Sequence, residues 1–351
     1  MRNDGSVPHL AIWAREFGPP AGLELAPAEP RPPGVGEVRV SVYAAGVGFA
    51  DALVFTGEYQ LRPDLPFIPG SEFSGVVEAI GEGADPSLLG KRISGATFIG
   101  AFAQTLNIPA GSVVELPAHA SFAEGAAFLT SFSTAYYALV GRGHLKAGES
   151  LLVMGASGAI GHAAVQLGKA LGAFVIASAT TADGRAAALE AGADAAIDAG
   201  SPSWREDLKA ANGGQPVDVA IDPIGGEATE RAFRSLAWNG RLLVVGFAAG
   251  SIAKLPVNLA LLKGASLIGV DNRQFYEKER DRALVYRRDL LRMYASGRLK
   301  PHIGKVYPIE EYVDAITTVV TGKQIGRVIL AMRGVENAIA GSGSSDALLD
   351  A

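Results

Sequence analysis

Residues 151–161 read LLVMGASGAIG, and no other stretch limits the possible folds of this chain as tightly. A short apolar strand, Leu151 to Met154, runs into Gly155, Gly158 and Gly161. An amphipathic segment follows, with Ile160, Ala164, Leu167 and Leu171 at helical spacing. Strand, G-x-x-G-x-x-G turn and helix is a backbone shaped to receive the pyrophosphate of a dinucleotide. The glycines tighten the turn and let phosphates approach, and the free amides at the helix start face the anion. The spacing departs from the commoner G-x-G-x-x-G because Ala156 and Ser157 separate the first two glycines.

The surroundings of this turn have a regular beat. Apolar strand candidates lie at 150–154, 173–178, 194–198, 217–222, 241–246 and 265–270, with helical stretches between most of them. Gly172, Gly192, Gly213 and Gly240 are expected to end helices as left-handed caps. Strands joined by crossover helices make a doubly wound parallel sheet of Rossmann type, so the fold class is α/β. The first 120 residues differ. Short β-like segments (Glu37–Val42, Gly75–Gly81, Gln104–Ile108) alternate with Gly- and Pro-rich turns, which predicts a mainly-β domain. Residues 123–141 read as a helix, Glu277–Ser296 as a charged helix, and Gly304–Met332 as strand, helix and strand. The expected division is therefore 1–122 with 273–335 in a discontinuous β domain, 123–272 in the Rossmann-type domain, and 336–351 as a flexible tail.

Composition excludes several function classes. The net charge is −5 with no basic block, so nucleic-acid binding has no electrostatic footprint. The start carries Asp4 and Pro8 and is no signal peptide, and no uninterrupted apolar stretch reaches membrane-spanning length. Cysteine is absent, which removes disulfides, thiolate nucleophiles and cysteine-ligated zinc. The five histidines are scattered without ligand spacing. The expectation is a soluble cytoplasmic protein with no nucleic-acid or membrane partner.

Seven segments carry a family resemblance: AAGVGFADALVFTGEYQ (44–60), LPFIPGSEFSGVVEAIGEG (65–83), EGAAFLTSFSTAYYALV (124–140), LLVMGASGAIGHAAVQLGKALGA (151–173), DPIGG (222–226), GRLLVVGF (240–247) and IGRVIL (325–330). Together they make the chain resemble the zinc-free quinone oxidoreductase branch of the medium-chain dehydrogenase/reductase superfamily. The resemblance implies a GroES-like β domain beside the Rossmann-type one. Zinc-dependent members of that superfamily ligate metal at positions that fall here on Gly48, Ser71 and Thr130, none of which is a zinc ligand. No metal site is therefore expected.

Reduction of an isolated carbonyl needs help at the oxygen from a metal or a good acid. A quinone or an α,β-unsaturated carbonyl needs less, because charge spreads over the π system. The resemblance thus implies a small hydrophobic quinone or enone as substrate, with a pocket of Phe49, Leu53, Phe55 and Phe98. Tyr59 reads either as an aromatic residue stacking on the acceptor or as its proton donor. Thr130 reads either as a group beside the acceptor oxygen or as a helix residue bonded to its own preceding turn. Asp51 reads as a cap or turn residue. An enoyl-thioester reductase and a non-catalytic NADPH-binding protein are the alternative readings.

NAD-selective folds place an acid at the end of the second strand. Here Ser178 takes that place, and Thr180, Thr181 and Arg185 follow. Hydroxyls and a cation suit a 2′-phosphate, so NADPH is the expected cofactor. The position where the family commonly has Lys is Gly184. By motif, Ser157, Gly158, Ala159 and Ile160 cradle the pyrophosphate, Asp222 passes near the ribose or the phosphates, and Gly246 and Phe247 approach the nicotinamide. Asn272 and Arg327 are further candidates for the phosphate and nicotinamide ends. The apolar segment 265–270 is the expected sheet edge. An uncovered edge needs a partner, and in this family edge-to-edge pairing gives a homodimer.

Overall fold

The apolar segments between 150 and 269 pair in parallel into one six-stranded sheet. Its spatial order is Ala195–Asp198, Phe174–Ala179, Ser150–Met154, Val217–Asp222, Leu236–Val244 and Ser266–Gly269. Numbered along the chain this is 3-2-1-4-5-6, the doubly wound order. The order reverses where Leu151 pairs with Val219. The computed structural model describes residues 9–29, 31–322 and 324–340. The chain divides into two units, residues up to 129 together with 303 onward, and residues 130–302.

In the second unit Leu152, Ile176, Val217, Ala220 and Leu242 meet Trp204, Leu208 and Phe233 from the crossover helices. Burying such side chains contributes roughly 1.5–3 kcal/mol each relative to exposure. Gly172, Gly192 and Gly213 adopt positive φ as expected of helix ends. Gly240 does not cap a helix. The fifth strand starts earlier than the apolar run suggests, at Leu236, and Gly240 lies inside it beside Asn239, whose φ is 61°.

Residues 273–302, expected in the β domain, group with the second unit. They form helices Asn272–Lys278 and Arg280–Ala295 rather than one. Phe275 stacks on Tyr137 with ring centroids 4.0 Å apart, and the Gln166 amide bonds both backbone groups of Lys300.

The first unit is built on the long strand Glu37–Val47, which pairs with Glu72–Ile80, Thr105–Pro109 and Arg327–Ala331. Strand Ile303–Pro308 pairs in turn with Arg327–Ala331, so the C-terminal segment extends this sheet. Phe55, Phe73, Phe102, Ile93 and Val40 fill its core. Residues 335–339 of the C-terminal region form a short helix. Of the expected flexible tail, 336–351, residues 336–339 belong to that helix, and residues 341–351 lie outside the described residues.

Candidate functional site

The glycine turn follows the first parallel strand and leads into helix Ala159–Ala170, whose N-cap is Gly158. No side chain caps this helix, so its first amides remain directed at whatever lies beyond the N-terminus. A Cβ on Gly161 would lie 2.1 Å from the Gly155 carbonyl oxygen, so glycine is what lets the helix start press against the turn. Ser157, Gly158, Ala159 and Ile160 are all partly exposed there.

The end of the second strand carries no carboxylate. Ser178, expected to face the cofactor, points inward instead. It is 3% exposed and its Oγ accepts from Trp204 Nε1 at 3.0 Å. Thr180 and Thr181 are exposed, and Thr181 Oγ1 caps the next helix by accepting from Gly184 N–H at 3.0 Å. Arg185 Nη1 donates to the carbonyls of Ala179 and Thr180, both at 3.2 Å. Its guanidinium is therefore held against the strand end.

Two further turns meet beyond the fourth and fifth strands. Val245 N–H donates to the Asp222 carbonyl, Ala248 N–H to Pro223, Ala249 N–H to Ile224, and Gly226 N–H to Ser251. Asp222 supports this arrangement from below. It is fully buried, one oxygen accepts from the amides of Ile224 and Gly225 at 2.8 and 2.9 Å, and the other accepts from Thr229 Oγ1 at 2.6 Å. Its carboxylate is spent on the turn and does not face a ligand. Gly246 is partly exposed and Phe247 is exposed. Asn272 opens the helix after the sixth strand, and its buried Oδ1 has no hydrogen-bond partner among the described residues.

In the first unit, helix Phe49–Thr56 places Phe49 and Leu53 one turn apart, both partly exposed. Tyr59 and Phe98 lie with ring centroids 6.0 Å apart. Phe55, expected in the same pocket, is 0% exposed and belongs to the core, because the helix turns it inward. Thr130 is partly exposed on helix Phe122–Tyr136, and its carbonyl accepts from Thr134 Oγ1.

A buried charged cluster lies behind the start of helix Phe49–Thr56. Arg327 Nη2 donates to Glu72 Oε2 at 2.8 Å, with both side chains buried. Arg327, expected toward the phosphate or nicotinamide end, is 7% exposed within the first unit, and its Nε has no hydrogen-bond partner among the described residues. Asp51 Oδ2 accepts from Gly48 N–H at 2.7 Å. Burial pushes the Asp51 carboxyl up, against the pull of Arg327 and of hydrogen bonds from Ser71 and Gly48.

Residues 34–118 match the family described as alcohol dehydrogenase GroES-like domain, and residues 159–284 match zinc-binding dehydrogenase. The chain is 36% identical over 316 residues to quinone oxidoreductase-like protein 2 of Bos taurus, covering 89% of each chain. It is 31% identical to human quinone oxidoreductase, covering 92% of this chain and 97% of the human one. The quinone oxidoreductase of Thermus thermophilus, solved also as its complex with NADPH, superposes with a TM-score of 0.80 at 31% identity, over 92% of this chain and 99% of that one. The chain belongs to the medium-chain dehydrogenase/reductase superfamily, in its quinone oxidoreductase-like branch.

As a quinone oxidoreductase-like chain it departs from the zinc-binding name of one matching family. A Cβ on Gly48 would lie 3.2 Å from both Arg327 Nη1 and Asp51 Oδ2. Among the described residues no group of three His, Cys, Asp or Glu side chains gathers in a metal-ligating arrangement. The sequence reading does not single out Glu72 or Asp198. The signal for Glu72 is an acid at the head of an otherwise small and apolar strand, EFSGVV.

Proposed function

We propose that this protein is an NADPH-dependent reductase of quinones or α,β-unsaturated carbonyl compounds. The observation that carries the cofactor choice is the end of the second strand. The strand ends without a carboxylate of its own to accept from ribose hydroxyls, and Arg185 is anchored there by two backbone carbonyls. The glycine cradle and the orphaned Asn272 Oδ1 fit a dinucleotide with an amide-bearing ring. Ser157 to Ile160 would hold the pyrophosphate, Thr180, Thr181 and Arg185 the 2′-phosphate, and Gly246, Phe247 and Asn272 the nicotinamide end. NADPH supplies a hydride when bound.

Phe49, Leu53 and Phe98 of the first unit offer an apolar surface to a flat acceptor. The Tyr59 hydroxyl has no hydrogen-bond partner among the described residues and is free to donate a proton to the acceptor oxygen. The human and Thermus relatives are named quinone oxidoreductases, which supports the same class of acceptor. Consumption of NADPH and NADH against a panel of quinones, enals and 2-alkenones tests the reading. Turnover with NADPH on a conjugated acceptor is expected, and NADPH binding without turnover on any of them refutes it. Arg185→Ala should weaken NADPH by about 1.5–3 kcal/mol and leave NADH unchanged, as loss of a charged hydrogen bond requires.

Among the described residues the sixth strand, Ser266–Gly269, pairs on one side only. Leu267, Leu261, Leu262, Val257 and Trp238 are 52%, 80%, 70%, 86% and 72% exposed in the same part of the second unit. An apolar open edge of this kind calls for a cover. A homodimer paired edge to edge supplies it. Light scattering should return twice the chain mass, and half of that for Leu261→Glu with Leu267→Lys; a monomeric parent refutes the pairing.

A further inference from the structure

Arg185 has a third neighbour. Asp198 Oδ1, at the end of the third strand, lies 3.5 Å from the same Nη1 that bonds the Ala179 and Thr180 carbonyls. The contact is longer than those to the carbonyls, and Asp198 is about half exposed while Arg185 is three-quarters covered. The same carboxylate oxygen accepts from Gly200 N–H at 2.8 Å, which fixes it in place. Arg185 therefore does not depend on Asp198 for its position, yet it carries a neutralising charge beside it. Position 184 offers no second cation. A Cβ there would lie 2.9 Å from Ser157 Cβ, so the close approach of the glycine turn keeps it glycine.

We propose that Asp198 is a specificity-determining counter-charge that limits how strongly this chain prefers a 2′-phosphorylated dinucleotide. The inference rests on the reading of Arg185 as the phosphate-facing group. A phosphate arriving at Arg185 must share the guanidinium with a fixed carboxylate and also meets that carboxylate's repulsion. A 2′-hydroxyl meets neither. Asp198 thus lowers affinity for the phosphorylated cofactor selectively and speeds its release, while leaving the adenosine and pyrophosphate contacts untouched.

The test is fluorescence titration of the full-length chain with NADPH and NADH, with competition by 2′,5′-ADP and 5′-AMP. The chains are the parent and Asp198→Asn, which keeps an oxygen acceptor for Gly200 N–H, with Asp198→Ser as a second variant. NADPH and 2′,5′-ADP should bind about fivefold more tightly to Asp198→Asn, the scale of a partly exposed ion pair. NADH and 5′-AMP should stay within about twofold, and the gain should shrink as salt is raised. In a parent that prefers NADPH, an unchanged or weaker NADPH affinity in both variants overturns this inference alone. A parent that binds the two cofactors equally, with no gain for NADPH in either variant, overturns it together with the reading of Arg185.

Discussion

His162 sits on the helix that follows the glycine turn, and its protonation is opposed by its surroundings. The ring is 6% exposed, its Nδ1 has no hydrogen-bond partner among the described residues, and the His302 ring lies 5.0 Å away. Burial, with the charge of His302 adding to it, pushes its pKa from 6.5 down to about 4. The unfolded chain titrates this histidine near the ordinary value. Between those limits the unfolded state binds a proton that the folded state refuses, so stability is full above about 6.5 and falls as pH drops toward about 4. Linkage gives a loss of about 1–2 kcal/mol at pH 5.5 and about 2–3 kcal/mol at pH 4.5 for this group. Carboxylates titrating over the same range are common to parent and variant, so the difference isolates the ring. Urea unfolding of the parent and of His162→Phe, at pH 7.5, 5.5 and 4.5, checks it. Phe keeps the ring contact with His302 and removes the titration. The variant should gain on the parent by those amounts as pH falls. Curves that stay parallel to within about 0.5 kcal/mol over the whole range would refute a buried neutral His162.

Two other substitutions probe the candidate site. Gly161→Ala places a methyl against the Gly155 carbonyl. It should cost about 1–3 kcal/mol of stability and sharply weaken NADPH binding, read by thermal melting and cofactor fluorescence; unchanged values would remove the need for the close approach. Tyr59→Phe should leave the melting temperature within the usual surface range, about 0.5 kcal/mol, because no hydrogen bond is lost. Its kcat on an enone should fall by about 100-fold if Tyr59 donates the proton, and an unchanged kcat assigns Tyr59 to packing alone.

The parallel sheet is legible in the sequence because each strand is a short apolar run bounded by glycine or polar turns, and the crossover helices repeat at the expected interval. The errors have a common origin. Ser178 and Asp222 have residue types that suit a cofactor, but type alone does not say which face of a strand end a side chain takes. Both turn inward, toward Trp204 and Thr229. Phe55 fails in the same way, since helix Phe49–Thr56 buries one side and exposes the other. Arg327 reads as a lone cation in an apolar strand, and its partner Glu72 lies 255 residues away in sequence. Helices 272–278 and 280–295 are amphipathic, and periodicity shows that they pack without showing on which unit.

The cluster of Asp51, Glu72 and Arg327 contains three ionisable groups, yet its geometry divides them into one ion pair and one hydrogen-bonded carboxyl. Arg327 and Glu72 are buried and bonded to each other. Replacing Arg327 with Met strands the Glu72 charge inside the sheet, which should cost about 3–5 kcal/mol. Asp51 is different. Its pKa is raised despite the nearby Arg327, so the ionised form is disfavoured by burial more than the guanidinium helps it. A group whose folded pKa is raised binds protons more tightly when folded, so its contribution to stability is lost as pH rises through that value. Asp51→Asn removes this penalty and retains an oxygen to accept from Gly48 N–H. It should therefore change stability at pH 8 by no more than about 1 kcal/mol, the worth of one hydrogen bond. Denaturant unfolding of both variants separates the cases. A cost for Asp51→Asn as large as that for Arg327→Met would mean that Asp51 is an ionised partner of Arg327, and that the cluster holds its cation between two carboxylates.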